Sequence, residues 1–249
     1  MFTREVTIEL MKNKIQSMKL ITAAWEGGSK ATGFLDQYSD LDMYIVTKDE
    51  DTEEVLNEIV EFIEEKFGIE RKFRMPEPNP YGFSQVFAKT MKTPELFYID
   101  FVVMGESVED KFIETDRHGV SDLWVSQFKL STTKRNQNVT NDLCKKIYDT
   151  TVSRDFLLIL ELEKQIKRNL FSEAFPNYLS FISRCLVSLM NIKYRPEKAD
   201  FGMRYIYRDF PEKEFKLIED AMRVGTIEEL KATFAVLLEK YHQLVEELK

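Results

Sequence analysis

The chain has 249 residues, of which 43% are hydrophobic and 12% aromatic, so it can bury a sizeable core as one large domain or two modest ones. Its formal net charge of −8 argues against a nucleic-acid partner, because a long phosphate backbone requires a basic stripe, and it favours a small or cationic ligand. The same acidic excess is also typical of an ordinary solvated surface.

The compartment is predicted from the cysteines and from the apolar segments. The two cysteines, Cys144 and Cys185, are far apart and suit a reducing environment. The opening residues lack the apolar core of a signal peptide, and no apolar run reaches membrane-spanning length. We therefore predict a cytoplasmic protein without a membrane partner.

The first half of the chain alternates helical and strand patterns. Apolar residues at helical spacing between Val6 and Met18 predict an amphipathic opening helix. The apolar run 20–25 predicts a strand that ends in a tight turn at residues 26–29. Alternating acidic and apolar residues over 41–47 predict a second strand.

A second helix and two further strands follow. Asp51 and Glu54 resemble a capping box, which predicts a helix that ends at Gly68. Three prolines within 76–80 predict an irregular loop before the strand-like runs 83–87 and 96–104.

The pattern becomes almost wholly helical after Met104. Residues 105–134 are interpreted as a connecting arm, and apolar residues recur at heptad-like spacing beyond Asn136. Amphipathic helices of this kind bury their apolar faces against one another, which predicts a helical bundle. The expected fold class is therefore α+β, with a small α/β unit over 1–134 and a helical domain over 135–249.

Three aspartates lie in strand-like segments where an unpaired charge is costly. Asp40 and Asp42 are two residues apart, a spacing that on a strand places both side chains on one face. Asp100 interrupts the apolar run 97–103. If the two strands are neighbours, the three carboxylates converge and can hold two Mg²⁺ ions together with nucleotide phosphates. Asp-x-Asp alone also occurs in calcium loops and on plain strand surfaces, so the prediction depends on the neighbouring motifs.

The turn before these aspartates supplies groups that phosphates need. Gly28 lets the backbone come close, Ser29 and nearby N–H groups can donate to phosphate oxygens, and Lys30 adds positive charge. The spacing is not that of a Walker loop. The order strand, Gly-Ser, loop, Asp-x-Asp, helix and strand with a single aspartate predicts a site for Mg-NTP.

On these motifs the sequence resembles the DNA polymerase β-type nucleotidyltransferase superfamily. Its signature is an apolar strand, Gly-Ser, a loop, Asp-x-Asp and a third carboxylate on a later strand. Within it the chain most resembles the aminoglycoside 6-adenylyltransferases, the streptomycin-modifying group. Their Gly-Ser-Arg and Asp-x-Phe-x-Asp-x-Asp stretches correspond to Gly28-Ser29-Lys30, with lysine for arginine, and to residues 36–42. Weaker resemblances cover residues 112–117, 154–158, 166–174 and 196–207.

The resemblance implies a mixed sheet flanked by helices in the first domain and an acceptor-binding helical bundle in the second. It implies transfer of AMP from ATP, with two Mg²⁺ ions bound by Asp40, Asp42 and Asp100, to a hydroxyl of a small acceptor. The leading acceptor is an aminoglycoside such as streptomycin, which would make the protein an antibiotic-resistance enzyme. The acidic surface suits such a polycation.

The helical half holds the remaining site candidates. Asp155 is the general base by resemblance, although an aspartate at a helix start is also typical of a cap; Glu161 and Glu163 are the alternatives. Arg195 and Lys198 are candidate triphosphate ligands, although isolated cations are also common on protein surfaces. The two histidines, His118 and His242, have no partners at metal-ligand spacing and are interpreted as ordinary turn and helix residues.

Two other functional hypotheses stay open. The same chemistry could serve another acceptor, such as a lincosamide, a metabolite or a protein side chain. Alternatively, the chain could be a non-catalytic module that binds a nucleotide. The sequence favours an enzyme, because a binding module has little reason to hold three converging carboxylates, and it leaves monomer and homodimer open.

Overall fold

A computed structural model describes residues 1–127, 129–130 and 133–249. The chain forms two compact units, unit 1 (Met1–Lys134) and unit 2 (Arg135–Lys249). Each unit has a hydrophobic core of its own. Among the described residues, no helix is long and apolar enough to cross a membrane.

Unit 1 is built on a six-stranded mixed sheet with strand order β3-β4-β5-β2-β1-β6. The pairing of β2 with β5 is parallel, and the other four pairings are antiparallel. The strands are β1 (Ile21–Glu26), β2 (Leu41–Thr47), β3 (Ile69–Arg74), β4 (Ser84–Thr90), β5 (Tyr98–Gly105) and β6 (Asp122–Ser126). The helices of this unit are α1 (Arg4–Ser17), α2 (Gly28–Thr32), α3 (Thr52–Phe67) and α4 (Thr115–His118).

The two faces of this sheet differ in what covers them. On the first face, alternate strand residues such as Met43 and Phe101 pack against apolar side chains of α1 and α3. On the second face a smaller cluster forms around Trp25, Val102 and Ile113. Because side chains alternate between faces, Asp42 and Asp100 belong to the second face, away from the main core.

All the secondary-structure elements described in unit 2 are helical. It comprises α5 (Gln137–Val152), α6 (Asp155–Lys167), α7 (Phe171–Phe181), α8 (Val187–Tyr194), α9 (Ile206–Asp209), α10 (Glu212–Ala221) and α11 (Ile227–Glu247). A π-helical turn, Ile182–Leu186, joins α7 to α8. The core forms around fully buried aromatic residues of α7 and α11, among them Phe181 and Tyr241, whose rings lie 5.5 Å apart. The predicted α+β class, with a mixed sheet and helices followed by a helical region, is confirmed.

Local details differ from the sequence-based expectations. The turn after β1 continues into the short helix α2, and the arm 105–134 contains β6, which pairs with β1. Helix α3 begins at Thr52 after a 3-10 turn, and the Asp51 side chain makes no capping hydrogen bond. Gly68 ends this helix as predicted, with φ of 67° and its N–H donating to the carbonyl of Glu64.

Candidate active site

Two half-buried carboxylates lie side by side on adjacent strands. Asp42 on β2 and Asp100 on β5 are direct partners in the parallel register. Burial, together with the charges of Asp40 and Glu26, raises the pKa of Asp42 to about 6. Burial also raises the pKa of Asp100, to about 7, against the effect of a hydrogen bond from Gln85. Negative charge is therefore concentrated at one point of the sheet.

Asp40 approaches the same place by a different route. It precedes β2, and its Oδ1 accepts a hydrogen bond of 3.1 Å from the N–H of Tyr98 at the start of β5. Burial raises the pKa of Asp40, and the Tyr98 hydrogen bonds oppose that shift. The strand period that predicts Asp40 and Asp42 on one face does not apply here, because Asp40 lies outside the strand.

An arginine from the first turn of α1 fixes the backbone around Asp40. The Arg4 guanidinium donates to the carbonyls of Ser39 and Asp40, at 3.2 Å each, and to the buried carboxylate of Glu26 at 2.6 Å. Glu26 is only 2% exposed, so this ion pair ties the end of β1 to the loop before β2. The sequence offers no pattern that singles out Arg4 or Glu26 as part of the site.

The acidic side chains of the site do not form a complete metal-binding cluster in the described part of the chain. Within the described ranges, no three His, Cys, Asp or Glu side chains are grouped so that they could hold a metal ion. The donor set nevertheless fits Mg²⁺, since Asp40, Asp42 and Asp100 offer only carboxylate oxygens and the pKa of each is raised. A divalent cation would stabilise the ionised carboxylates against the burial and repulsion that raise these pKa values.

The Gly-Ser turn packs directly against Asp42. The N–H of Gly27 donates to the Asp42 carbonyl at 3.0 Å, and Gly28 has φ of +55°. A Cβ on Gly28 would lie 1.8 Å from Asp42 Oδ2, so only glycine fits. Ser29 Oγ is buried and finds no hydrogen-bond partner in the described part of the chain, and Lys30 is exposed. A buried hydroxyl without a partner is suited to a ligand oxygen such as that of a phosphate.

The two basic candidates in unit 2 hold the fold together. Arg195 is 2% exposed and donates to the side chains of Asn191 and Asp209 and to the carbonyl of Gly202, at 2.8, 3.0 and 2.7 Å. Lys198 also donates to Asp209, at 3.2 Å. The sequence predicts phosphate contacts for Arg195 and Lys198, whereas the structure uses these donors inside unit 2.

The base candidates lie on one helix of unit 2. Asp155 is the first residue of α6, after the N-cap residue Arg154, and its Oδ2 accepts a hydrogen bond of 2.7 Å from the Tyr241 hydroxyl. Glu161 is exposed and pairs with Lys164. The Tyr241 bond orients Asp155 and leaves its Oδ1 as the second acceptor atom.

The second sheet face therefore presents two adjacent carboxylates, and the glycine turn lies against one of them. The serine hydroxyl of that turn has no hydrogen-bond partner among the residues that the structure describes. That arrangement is suited to a phosphate group held beside carboxylates. Residues 8–92 match the family described as Nucleotidyltransferase domain. The match includes the Gly-Ser turn and Asp40 and Asp42, while Asp100 lies beyond it. No curated protein matches the chain at a significant level.

The chain thus carries a nucleotidyltransferase domain in unit 1, and the match supports the polymerase β-type superfamily and a transferase activity.

Proposed function

We propose that the protein transfers AMP from Mg-ATP to a hydroxyl group of a small acceptor. The observation that carries this proposal is the register of β2 and β5, which sets Asp42 directly beside Asp100. The Gly-Ser turn lies against Asp42, so a phosphate held by Ser29 would be next to these carboxylates. The nucleotidyltransferase match supports the class of reaction.

The transfer forms one bond and breaks another. The acceptor oxygen bonds to the α-phosphorus of ATP, and the bond between that phosphorus and the bridging oxygen breaks to release pyrophosphate. The proton of the acceptor hydroxyl passes to a general base, for which Asp155 is the residue proposed from the resemblance. Its hydrogen bond from Tyr241 would hold the carboxylate in one orientation.

The metal requirement follows from the carboxylates. Asp40, Asp42 and Asp100 would hold Mg²⁺, which supplies charge stabilisation to the phosphates when bound. The chain itself contributes the pre-arranged acids. Arg4 fixes the loop that carries Asp40, Gln85 orients Asp100, and Gly28 leaves space for the Asp42 carboxylate.

The acceptor is the finer part of the proposal. The family resemblance favours an aminoglycoside such as streptomycin, in which case the activity confers antibiotic resistance. A lincosamide, another metabolite or a protein side chain is the alternative within the same chemistry. A non-catalytic nucleotide-binding module is the second candidate function, and the raised pKa values of Asp42 and Asp100 count against it.

The decisive experiment is an acceptor screen with labelled ATP and Mg²⁺ that follows pyrophosphate release. Asp42→Asn is expected to lower turnover by at least about 100-fold while the fold stays intact. Asp220→Asn, at an exposed position of unit 2, is the matched control and is expected to retain full turnover. Normal turnover by Asp42→Asn would refute its role, and calorimetry without any heat of Mg-ATP binding would refute the enzyme altogether.

A further inference from the structure

A groove with an unusual lining opens on unit 1, where β3, β4 and β5 run side by side. It has a volume of about 570 Å³. Among the residues that the structure describes, three aromatic and three basic ones line it and no acidic one does: Arg71, Lys72, Phe73, Phe87, Lys89 and Tyr98. We refer to it as the aromatic–basic groove.

The three rings of this groove form a row across the strands. Phe73 on β3 is the register partner of Phe87 on β4, and their ring centroids are 6.2 Å apart with planes inclined by 27°. The Phe87 ring lies 6.3 Å from that of Tyr98 on β5. Phe73 is 57% exposed, so one face of the row is open to solvent. Such a surface stacks a flat ring rather than closing a core.

The cations around the rings are largely available. The side chains of Arg71 and Lys72 are exposed and make no hydrogen bond or ion pair with any residue that the structure describes. Lys89 donates to the carbonyls of Pro94 and Phe97, which holds its charge at the edge of the groove. In a chain with a net charge of −8, this local concentration of positive charge selects an anion.

Arg74, at the end of β3, is paired with nearby acidic side chains. Arg74 donates two hydrogen bonds to Glu53, at 2.8 and 2.7 Å, and others to Glu77. These pairs neutralise that guanidinium, whereas Arg71, three residues earlier, has no such partner in the described structure. The groove is therefore the place on β3 where positive charge remains for a ligand.

The groove is next to the proposed active site in the strand register. Phe87 is the antiparallel register partner of Asp100, and Gln85, two residues earlier on β4, donates to the Asp100 carboxylate at 2.8 Å. Phe87 and Asp100 thus share the second sheet face. A ligand stacked on Phe87 lies next to Asp100.

We propose that the aromatic–basic groove binds a small, flat aromatic ring that carries a phosphate group, and that this chemistry defines the acceptor of the enzyme. The rings recognise the flat group, and Arg71, which shares the sheet face of Phe73, recognises the phosphate. The volume is that of a small-molecule site, and the acidic chain disfavours a long nucleic acid. The acceptor role rests on the proposed nucleotidyl transfer; the binding itself does not. Within that proposal, the groove favours an anionic metabolite over a polycationic aminoglycoside.

The experiment measures binding of flavin mononucleotide to the full chain by quenching of flavin fluorescence, without ATP or metal. Riboflavin, which has the same ring without the phosphate, is the matched probe. Binding of flavin mononucleotide is expected to weaken about tenfold in Phe73→Ala and about fivefold in Arg71→Gln. Riboflavin is expected to bind more weakly than flavin mononucleotide and to respond to Phe73→Ala only.

Control variants keep the test specific. Phe156→Ala and Arg223→Gln remove an exposed phenylalanine and an exposed arginine of unit 2 and are expected to leave flavin binding unchanged. Because Phe73 and Arg71 are exposed on an edge strand, both test variants are expected to fold, and Phe73→Leu provides a milder truncation.

Several results would overturn the inference. They are the absence of quenching up to millimolar flavin mononucleotide, equal affinities for the two flavins, and wild-type affinity in Phe73→Ala. Tighter binding of a short oligothymidylate than of flavin mononucleotide would replace the small-molecule occupant by a nucleic acid. Calorimetry with Mg-ATP on the same preparations separates the two proposals. Flavin binding without Mg-ATP binding refutes nucleotidyl transfer and the acceptor role but supports the groove as a binding site. Mg-ATP binding without flavin binding refutes the groove proposal alone.

Discussion

At the scale of single residues, Gly28 couples backbone conformation to the position of a carboxylate. Gly28→Ala places a methyl group 1.8 Å from Asp42 Oδ2 and forces a side chain into φ of +55°. Because Asp42 must move, we expect pyrophosphate release to fall at least about 100-fold. The measurement is turnover together with the thermal unfolding midpoint.

Gly33 provides the control for this change. Its φ is +75°, yet apart from its chain neighbours no described residue has a heavy atom within 4 Å of the position that an added methyl group would take. Gly33→Ala therefore carries the backbone strain, roughly 1 kcal/mol, without the collision. We expect the larger loss of stability in Gly28→Ala, which adds the collision to the strain, and loss of turnover in Gly28→Ala only. Equal turnover in the two would show that the clash is relieved without moving Asp42.

At the scale of elements, the first turn of α1 is tied to the sheet by the buried pair of Arg4 and Glu26. Arg4→Met leaves the Glu26 carboxylate buried without its partner, and we expect a loss of roughly 3 kcal/mol in the free energy of unfolding. The double variant Arg4→Met with Glu26→Gln removes the stranded charge and is expected to regain most of that stability. Urea unfolding followed by circular dichroism measures both.

The same cycle tests the link between α1 and the active site. Arg4 also binds the carbonyls of Ser39 and Asp40, and the double variant lacks these bonds. We therefore expect it to turn over more slowly than wild type although its stability is restored. Full turnover in the double variant would limit Arg4 to a role in stability.

In unit 2, Asp209 ties the segment after α8 to α9 and gives stability a pH dependence. Burial raises the pKa of Asp209, but hydrogen bonds and charges from Arg195 and Lys198 outweigh it, so the pKa lies below its usual value. An acid with a lowered pKa stabilises the fold above its unfolded pKa, and this contribution is lost as the pH falls through the folded pKa. We expect Asp209→Asn to cost roughly 2 kcal/mol at neutral pH and progressively less below about pH 4.

Urea unfolding at a series of pH values checks this expectation. Asp220→Asn, whose side chain is 71% exposed, is the control and is expected to show no comparable difference from wild type. A cost of Asp209→Asn that stays constant down to about pH 2 would contradict the assignment of the lowered pKa.

Elements with a clear hydrophobic pattern are the ones that the sequence predicts. In β2 and β5 the buried positions give strong signals, and their parallel pairing is what brings Asp42 to Asp100. Strand β3 escapes prediction because nearly all its side chains are exposed, so no alternation of apolar and polar residues exists. In β6 only Trp124 is buried, so this strand also lacks an alternating pattern from which it could be predicted. Both edge strands are held by backbone pairing, which leaves little trace in the side chains.

The residues of the candidate site also divide into those that local sequence predicts and those that only the fold brings together. The Gly-Ser turn and Asp42 on β2 could be found from local sequence, which sets a turn and a strand, whereas Asp40 lies just before the strand. The hydrogen bonds of Arg4 to Asp40 and of Gln85 to Asp100 join residues far apart along the chain, so spacing carries no sign of them. Arg195 illustrates a different limit of the sequence. It is a candidate phosphate ligand because it is basic, but in the structure it is buried and paired with Asp209.

At the scale of the whole molecule, the two units differ in kind. Unit 1 is organised by a sheet whose second face presents the carboxylates, and unit 2 by helices packed around an aromatic core. Each unit encloses its own apolar cluster, so a substitution in one core acts first on the unit that contains it.

The stacked pair of Trp25 and Tyr44 gives this division an optical consequence. Trp25 is fully buried, 5.6 Å from the Tyr44 ring, and Tyr44 follows Asp42 by two residues on β2. The second tryptophan, Trp124, lies on β6, so both indoles of the chain are in unit 1. Intrinsic tryptophan emission therefore reports on the nucleotidyltransferase unit. Unfolding of the helical unit, which contains no tryptophan, has to be followed by another signal such as circular dichroism.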